Sequence, residues 1–239
     1  MAGEVTYDVE GHVAVITLNR PAKLNALNVA LASGLEAAWR RFETGPERVA
    51  LVTGAGGNFT AGIDVSDAPV RSSWAPQLGV RVGKPVVAAV EGWCVGAGLI
   101  ISHNADLCVA GETARFRYPE GRLGLTKGLV SGMAARMPYK LAMEILLVGR
   151  PVSAQSMYRA GFVNEVTPAG GALALARELA NEIARADPDA VRFIKAGIDA
   201  TVPRGIAEMA EALRWEAEQL PANQKLVSGG LTVAQLRSV

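Results

Sequence analysis

The chain has 239 residues, 50% hydrophobic and 20% charged, with a formal net charge of +1. That balance suits one large globular domain, or a core with an appendage. Lys and Arg are scattered, which argues against a nucleic-acid surface. Met1 to Glu10 is polar and acidic, without the basic start and apolar core of a secretory signal, so the cytoplasm is the expected compartment. Cys94 and Cys108 lie in apolar surroundings and do not have metal-ligand spacing. They read as buried free thiols in a reducing environment, with no metal expected.

Val5–Val9 and His12–Leu18 alternate apolar and polar around Glu10-Gly11, the pattern of a hairpin that places His12 in an exposed strand position. A helical period runs from about Asn28 to Glu43, capped by Asn25 or Asn28. Val49–Thr53 reads as a buried strand, followed by the turn Gly54-Ala-Gly-Gly57. Asn58-Phe-Thr-Ala-Gly-Ile-Asp64 carries a glycine where the backbone must approach something closely, and Asp64 reads as a cap for a following helix. Residues 66–83 read as a loop with a short helix. Further strands are expected at Val86–Val90, Asp106–Ala110, Ala114–Phe116 and Phe162–Val166. Helices are expected from Leu99 to about Ala105, and over Gly128–Met137, Tyr139–Val148, Ser153–Ala160, Ala172–Ala186, Ala190–Ala200 and Ile206–Leu220. Strands and helices alternate to about residue 166 and helices dominate afterwards, so the fold class is α/β with a helical C-terminal appendage.

The stretch Lys84–Gly128 organises the rest. A β-branched strand passes through Gly92, Gly96 and Gly98 into an apolar helix, exposing backbone N–H groups where the helix dipole favours negative charge. Phe116-Arg-Tyr-Pro-Glu120 then brings a carboxylate on another turn. An anion-stabilising turn beside an acid/base group points to enolate chemistry. A membrane helix over Val86–Ile101 is disfavoured by Glu91 and three glycines. A dinucleotide turn is disfavoured because Ile101 stands where G-x-G-x-x-G needs its third glycine. A purely structural glycine turn remains as the third reading. No G-x-S-x-G and no Ser-His-Asp set supports a hydrolase triad, and His103, on an apolar helix, reads as a core histidine.

Six segments, in order, resemble the crotonase superfamily, the enoyl-CoA hydratase/isomerase family. They are Val15–Pro21 with Asn25-Ala-Leu27; Phe59-Thr-Ala-Gly-Ile-Asp64; Lys84–Gly92 with Gly96-Ala-Gly98; Ala105-Asp-Leu107; Phe116 with Pro119-Glu120; and Ser153-Ala154 with Ala160-Gly161. The resemblance implies a crotonase-like spiral of ββα units over residues 1–189 and a helical C-terminal trimerisation region over 190–239. It implies a homotrimer or dimer of trimers, without nucleic acid or membrane. The substrate it implies is an acyl-CoA thioester, with no separate cofactor because coenzyme A is part of the substrate. By motif position the thioester oxygen lies between the N–H groups of Ile63 and Ala97, with Glu120 as acid/base. Ala22, Lys23 and Leu24, together with Ala61, Gly62 and Asp64, are implied to line the path of the CoA. Gly96, Ile100 and Tyr118 complete the implied site. Arg122 also flanks Glu120, and the loop around Trp74 is a candidate for setting acyl-chain length. The tail from Lys225 departs from the family's basic, aromatic ending.

One departure bears on the reaction. Family hydratases resemble one another in using two glutamates around a water; here the second is Glu120, while the first falls on Ile100. Losing one acid/base group costs on the order of 10²–10⁴ in rate. The expected activity is therefore isomerisation of a 3-enoyl-CoA to the 2-enoyl thioester by Glu120 alone. Hydration or another lyase reaction in the same fold is the alternative, and a non-catalytic CoA-binding protein is the reading from a different class.

Overall fold

The computed structural model describes residues 3–68, 73–124 and 130–202. Strands β1 (Val5–Glu10) and β2 (Val13–Leu18) form the expected antiparallel hairpin, and His12 sits in its exposed turn rather than in a strand. Helix α1 (Val29–Thr44) follows, with Asn28 accepting from Leu31 N–H as its N-cap. Asn25, the other capping candidate, is instead fully buried before the helix in a left-handed conformation. Then come β3 (Val49–Gly54), β4 (Val86–Val90), β5 (Trp93–Val95), α2 (Ala97–Asn104), β6 (Leu107–Gly111), β7 (Arg115–Arg117) and the single-turn helix α3 (Glu120–Leu123). After α3 the chain forms α4 (Tyr139–Met143), β8 (Val152–Ser153), α5 (Ala154–Arg159), β9 (Glu165–Thr167), α6 (Ala172–Arg185) and α7 (Pro188–Thr201).

Two sheets result. The larger has the order β1-β2-β3-β4-β6-β9, parallel apart from the β1 edge. The smaller has the order β5-β7-β8. The chain leaves the large sheet at the end of β4, turns at Gly92 and enters the small sheet as β5; β6 and β7 repeat the step. Each pass therefore delivers one strand to each sheet, which is the spiral of strand pairs expected from the motifs.

Both faces of the central strands β2, β3, β4 and β6 are covered, so these strands are largely apolar rather than alternating. Val13, Val15, Val49, Leu51, Val87 and Ala89 face α6, which meets them with the stripe Ala172, Ala176, Ala180 and Ala184. Small residues four apart along one helix face let it approach the sheet closely. Ala14, Ile16, Ala50, Val52, Val86 and Ala88 face the main core with α1 and α2. Glu91, the charge that interrupts the apolar run, accepts from Ala172 N–H at 3.0 Å and so satisfies the first amide of α6. Asp106 Oδ2 accepts from Val86 N–H at 2.8 Å and from the buried Lys195 of α7 at 2.6 Å, tying α7 to the start of β4.

Several local expectations differ. Of the helix expected over Gly128–Met137, the first two residues lie outside the described ones and the rest forms a 3₁₀ turn at Ser131–Ala135, with Pro138 disfavouring a helical Met137. The Tyr139–Val148 helix widens into a π turn over Glu144–Val148 before Gly149. The strand expected at Phe162 begins only at Glu165, after a turn. No helix occurs among the described residues of 66–83. The Ile206–Leu220 helix, the tail from Lys225 and most of the implied trimerisation region lie outside the described residues. Among the described residues no helix is long and apolar enough to cross a membrane.

Replacing Asn28 by Ala removes the α1 cap and is expected to destabilise the protein by about 1 kcal/mol. Thermal unfolding should show a loss of roughly 2–4 °C; an unchanged midpoint would show that the cap bond contributes nothing.

Candidate active site

The site begins with two short backbone pairings. Thr60 pairs in parallel with Cys94: Thr60 N–H donates to Trp93 O at 2.9 Å, and Val95 N–H donates to Thr60 O at 3.0 Å. Leu27 pairs in parallel with Ile63: Leu27 N–H donates to Gly62 O at 2.7 Å, and Asp64 N–H donates to Leu27 O at 2.8 Å. In a parallel pair the residue bracketed by its partner's two bonds turns its own N–H away. Ile63 is that residue, and its N–H has no acceptor among the described residues.

Three residues on from the Thr60–Cys94 pair, both segments reach the sequence-derived donors, Ile63 on one and Ala97 on the other. Gly62 holds them close. It has φ +94°, and a methyl group there would lie 3.1 Å from Val95 O. The Thr60 hydroxyl accepts from Gly62 N–H at 3.1 Å and donates to Asn25 O at 2.7 Å, fixing the bend from within. Ala97 is the first residue of α2, and the first helical amide with a partner is Ile100, bonded to Gly96 O at 3.2 Å. The N–H groups of Ala97, Gly98 and Leu99 thus precede the helical ladder and project from the positive end of the dipole.

The acid/base candidate reaches this turn through the small sheet. β5 pairs with β7 in the register Val95↔Arg117, and Gly96 N–H extends the ladder by donating to Arg117 O at 2.9 Å. Three residues later Glu120 opens α3. Its carboxylate folds back onto the glycine turn: a methyl group on Gly96 would overlap Glu120 Oε1 and lie 3.2 Å from Cδ. The residue is partly exposed overall, but Oε2 is buried without a hydrogen-bond partner among the described residues. Burial pushes the carboxyl pKa up to about 7, against smaller opposing effects of its own backbone N–H and of the Arg117 guanidinium.

The other expected residues fall as follows. Ile100 is 4% exposed and packs in the main core between Leu99 and Ile101, both fully buried. Tyr118 is buried and Arg122 exposed. Ala22 and Lys23 lie in an exposed 3₁₀ turn, and Ala61 N–H donates to Leu24 O at 2.9 Å, so the segments 22–24 and 61–64 run side by side. Asp64 does not cap a helix. Its Oδ1 accepts from Ser66 N–H and hydroxyl, its Oδ2 from Arg20 at 2.7 Å, and these bonds, with Ser66 foremost, hold its pKa below the ordinary carboxylate value. His103 is buried at the far end of α2, 3.3 Å from Arg136. Trp74 is buried, and its carbonyl accepts from Trp39 Nε1 at 3.0 Å, so it belongs to the core. The thiol of Cys94 is pushed up to about 12 by burial and that of Cys108 well above the ordinary value, which makes neither a nucleophile.

Sequence reasoning missed the bracing residues. Asn25 donates to Ala55 O and Asn58 O at 2.8 and 2.7 Å and accepts from Arg20 N–H at 2.9 Å. Arg20 also bonds Ala26 O at 3.0 Å. The available signal was that Arg20, Asn25 and Thr60 are polar residues inside otherwise apolar motifs.

These features set a glycine turn, with backbone N–H groups at a helix start, against one carboxylate on a crotonase-type spiral. The sequence model of the family described as Enoyl-CoA hydratase/isomerase matches residues 8–229, and the chain belongs to that family. It is 36% identical over 208 residues to the enoyl-CoA hydratase EchA19 of Mycobacterium tuberculosis, covering 80% of this chain and 78% of the relative. It is 35% identical over 205 residues to the (E)-benzylidenesuccinyl-CoA hydratase of Thauera aromatica, covering 80% of each. Among solved structures, an enoyl-CoA hydratase from Mycobacterium avium superposes with a TM-score of 0.80 at 30% identity, over 94% of this chain and 97% of that one. An enoyl-CoA hydratase/isomerase from Pseudoalteromonas atlantica gives 0.82 at 27% identity, over 94% and 95%.

The Glu120 pKa of about 7 lies above the ordinary 4.5, so folding favours the protonated form. That stability is fully present below pH 4.5 and is lost as pH rises through about 7. Glu120→Gln, neutral at every pH, should match the wild type below pH 4.5 and exceed it above pH 7 by on the order of 3 kcal/mol in urea unfolding. A gap independent of pH would contradict the burial of this carboxylate.

Proposed function

We propose that the chain is an enoyl-CoA isomerase that converts a 3-enoyl thioester to the 2-enoyl thioester, with Glu120 as its single acid/base. The observation that carries this reading is the buried Glu120 carboxylate packed on the glycine turn, combined with an apolar, buried Ile100 at the motif position of the family's other glutamate. Ionised Glu120 takes a proton from C2, and the electron pair moves to the thioester oxygen, where the N–H groups of Ile63 and Ala97 receive the charge. The same carboxyl returns the proton at C4, leaving the double bond between C2 and C3. Each fixed donor is worth roughly 3–4 kcal/mol because it needs no reorganisation as charge develops. Ile100 holds no water beside the dienolate. The paired segments 22–24 and 61–64 offer a backbone-lined path for the CoA, with Lys23 exposed for a phosphate. Phe193, Ile194 and Ile198 of α7 are 80%, 63% and 57% exposed, which supports assembly of several copies through the C-terminal helices.

A second reading, hydration of a 2-enoyl-CoA, is favoured by the names of the relatives, which are hydratases. Turnover of purified protein with 3-enoyl-CoA and 2-enoyl-CoA separates the two. Isomerisation should be the faster reaction, and faster hydration would overturn the isomerase assignment. Its kcat/KM should rise with pH and level off above about 7, because the base must be ionised. Glu120→Gln should lower the rate by a factor on the order of 10²–10⁴ with CoA binding retained. Ile100→Glu should add measurable hydration of 2-enoyl-CoA; none, in a folded variant, would show that more than one carboxylate separates this site from a hydratase.

A further inference from the structure

The position of the Glu120 carboxylate depends on an atom that is missing. Gly96 immediately precedes the Ala97 donor, and Glu120 Oε1 occupies the space a side chain on Gly96 would fill, with Cδ at 3.2 Å and Oε2 at 3.5 Å from the nearest methyl position. Oε2 is at the same time buried and unpartnered among the described residues, so no hydrogen bond to that oxygen holds the carboxylate. Alongside its own backbone N–H, packing against Gly96 Cα therefore sets where the base sits. The obstacle a methyl group would meet is the end of a flexible side chain, which moves away more cheaply than backbone does.

We infer that Gly96 is a positioning residue: its bare Cα is the seat that holds Glu120 beside the oxyanion turn, and so directs the base to C2, the carbon next to the thioester carbonyl, whatever lies further along the acyl chain. This rests on the reading of Glu120 as the base, and it widens the chemistry. A saturated acyl-CoA, which has no double bond to move, exchanges its C2 proton with solvent at this site. The C2–H bond breaks, the proton goes to the Glu120 carboxylate and the electron pair to the thioester oxygen. The carboxyl exchanges its proton with solvent, and C2 takes back a solvent deuteron in D₂O.

The test is deuterium incorporation at C2 of butyryl-CoA, followed by NMR, for the wild type, Gly96→Ala, Glu120→Asp and the double variant. The wild type should exchange. Gly96→Ala should lose on the order of 100-fold, the scale of one acid/base group, while still binding CoA. Glu120→Asp, one methylene short of the seat, should lose a similar factor. Adding Gly96→Ala to Glu120→Asp should then cost under about tenfold, since the shorter carboxylate has already left the space. Gly96 has φ +52°, so alanine also strains the backbone. Equal losses in both backgrounds would mean that strain alone acts, and would overturn the inference, as would exchange unchanged in Gly96→Ala. If Gly96→Ala does not fold, Glu120→Asp decides: exchange near the wild-type rate would overturn the seat. No exchange in the wild type would instead overturn the reading of Glu120 as an enolate-forming base, and the seat with it.

Discussion

The pairing of the 58–64 segment with the 91–97 segment is the interaction on which the site depends. It consists of a few backbone hydrogen bonds at Phe59, Thr60 and Val95, continued by the pair of Leu27 with Ile63. Backbone groups placed in this way do not relax when charge appears next to them, which is the physical requirement for stabilising a transition state rather than a ground state. The bracing is correspondingly dense. Asn25, Thr60, Arg20 and Asp64 bond the surrounding backbone and one another, and the N–H groups of Ile63 and Ala97 keep no acceptor among the described residues.

Glu120 shows the opposite economy. Its Oε2 is buried and unpaired among the described residues, and its pKa is displaced to about 7, both of which cost stability at neutral pH. A group of that kind is poised to take a proton and give it back near neutrality. The neighbouring helix α2 is buried along its whole length and apolar from Ala97 to Ile101, so nothing on its first turn adds a second carboxylate. The cost of burial is thus concentrated on one side chain, while the turn that carries the Ile63 and Ala97 N–H groups is braced by hydrogen-bonded neighbours.

Much of the fold was legible in the sequence. The strands β3 and β4 read as buried strands because both faces are covered and the residues are largely apolar, and β2 read as one arm of a hairpin. Asn28 and Ser153 were readable as caps because their bonds are local. The glycine turn and the carboxylate that follows it were readable from the residues themselves, whereas the pairing of Ile63 with Ala97 came only as what the motif resemblance implies. What the sequence hid was long-range. β5 has three residues, too few for a period, yet it leads into Ala97 and pairs with the strand that leads to Glu120. Asp64 read as a helix cap because its charge partner, Arg20, lies in a different segment. The contact of Glu120 with Gly96 follows from the β5–β7 register and has no local signature at all.

The central claim is that the thioester oxygen is held by the N–H groups of Ile63 and Ala97 with Glu120 beside C2. A crystal structure with a bound, unreactive acyl-CoA tests it most directly. The account predicts the thioester oxygen about 2.7–3.1 Å from both nitrogens, with a Glu120 carboxylate oxygen in contact with C2. A thioester oxygen bonded to neither nitrogen, or a Glu120 carboxylate turned away from C2, would contradict it.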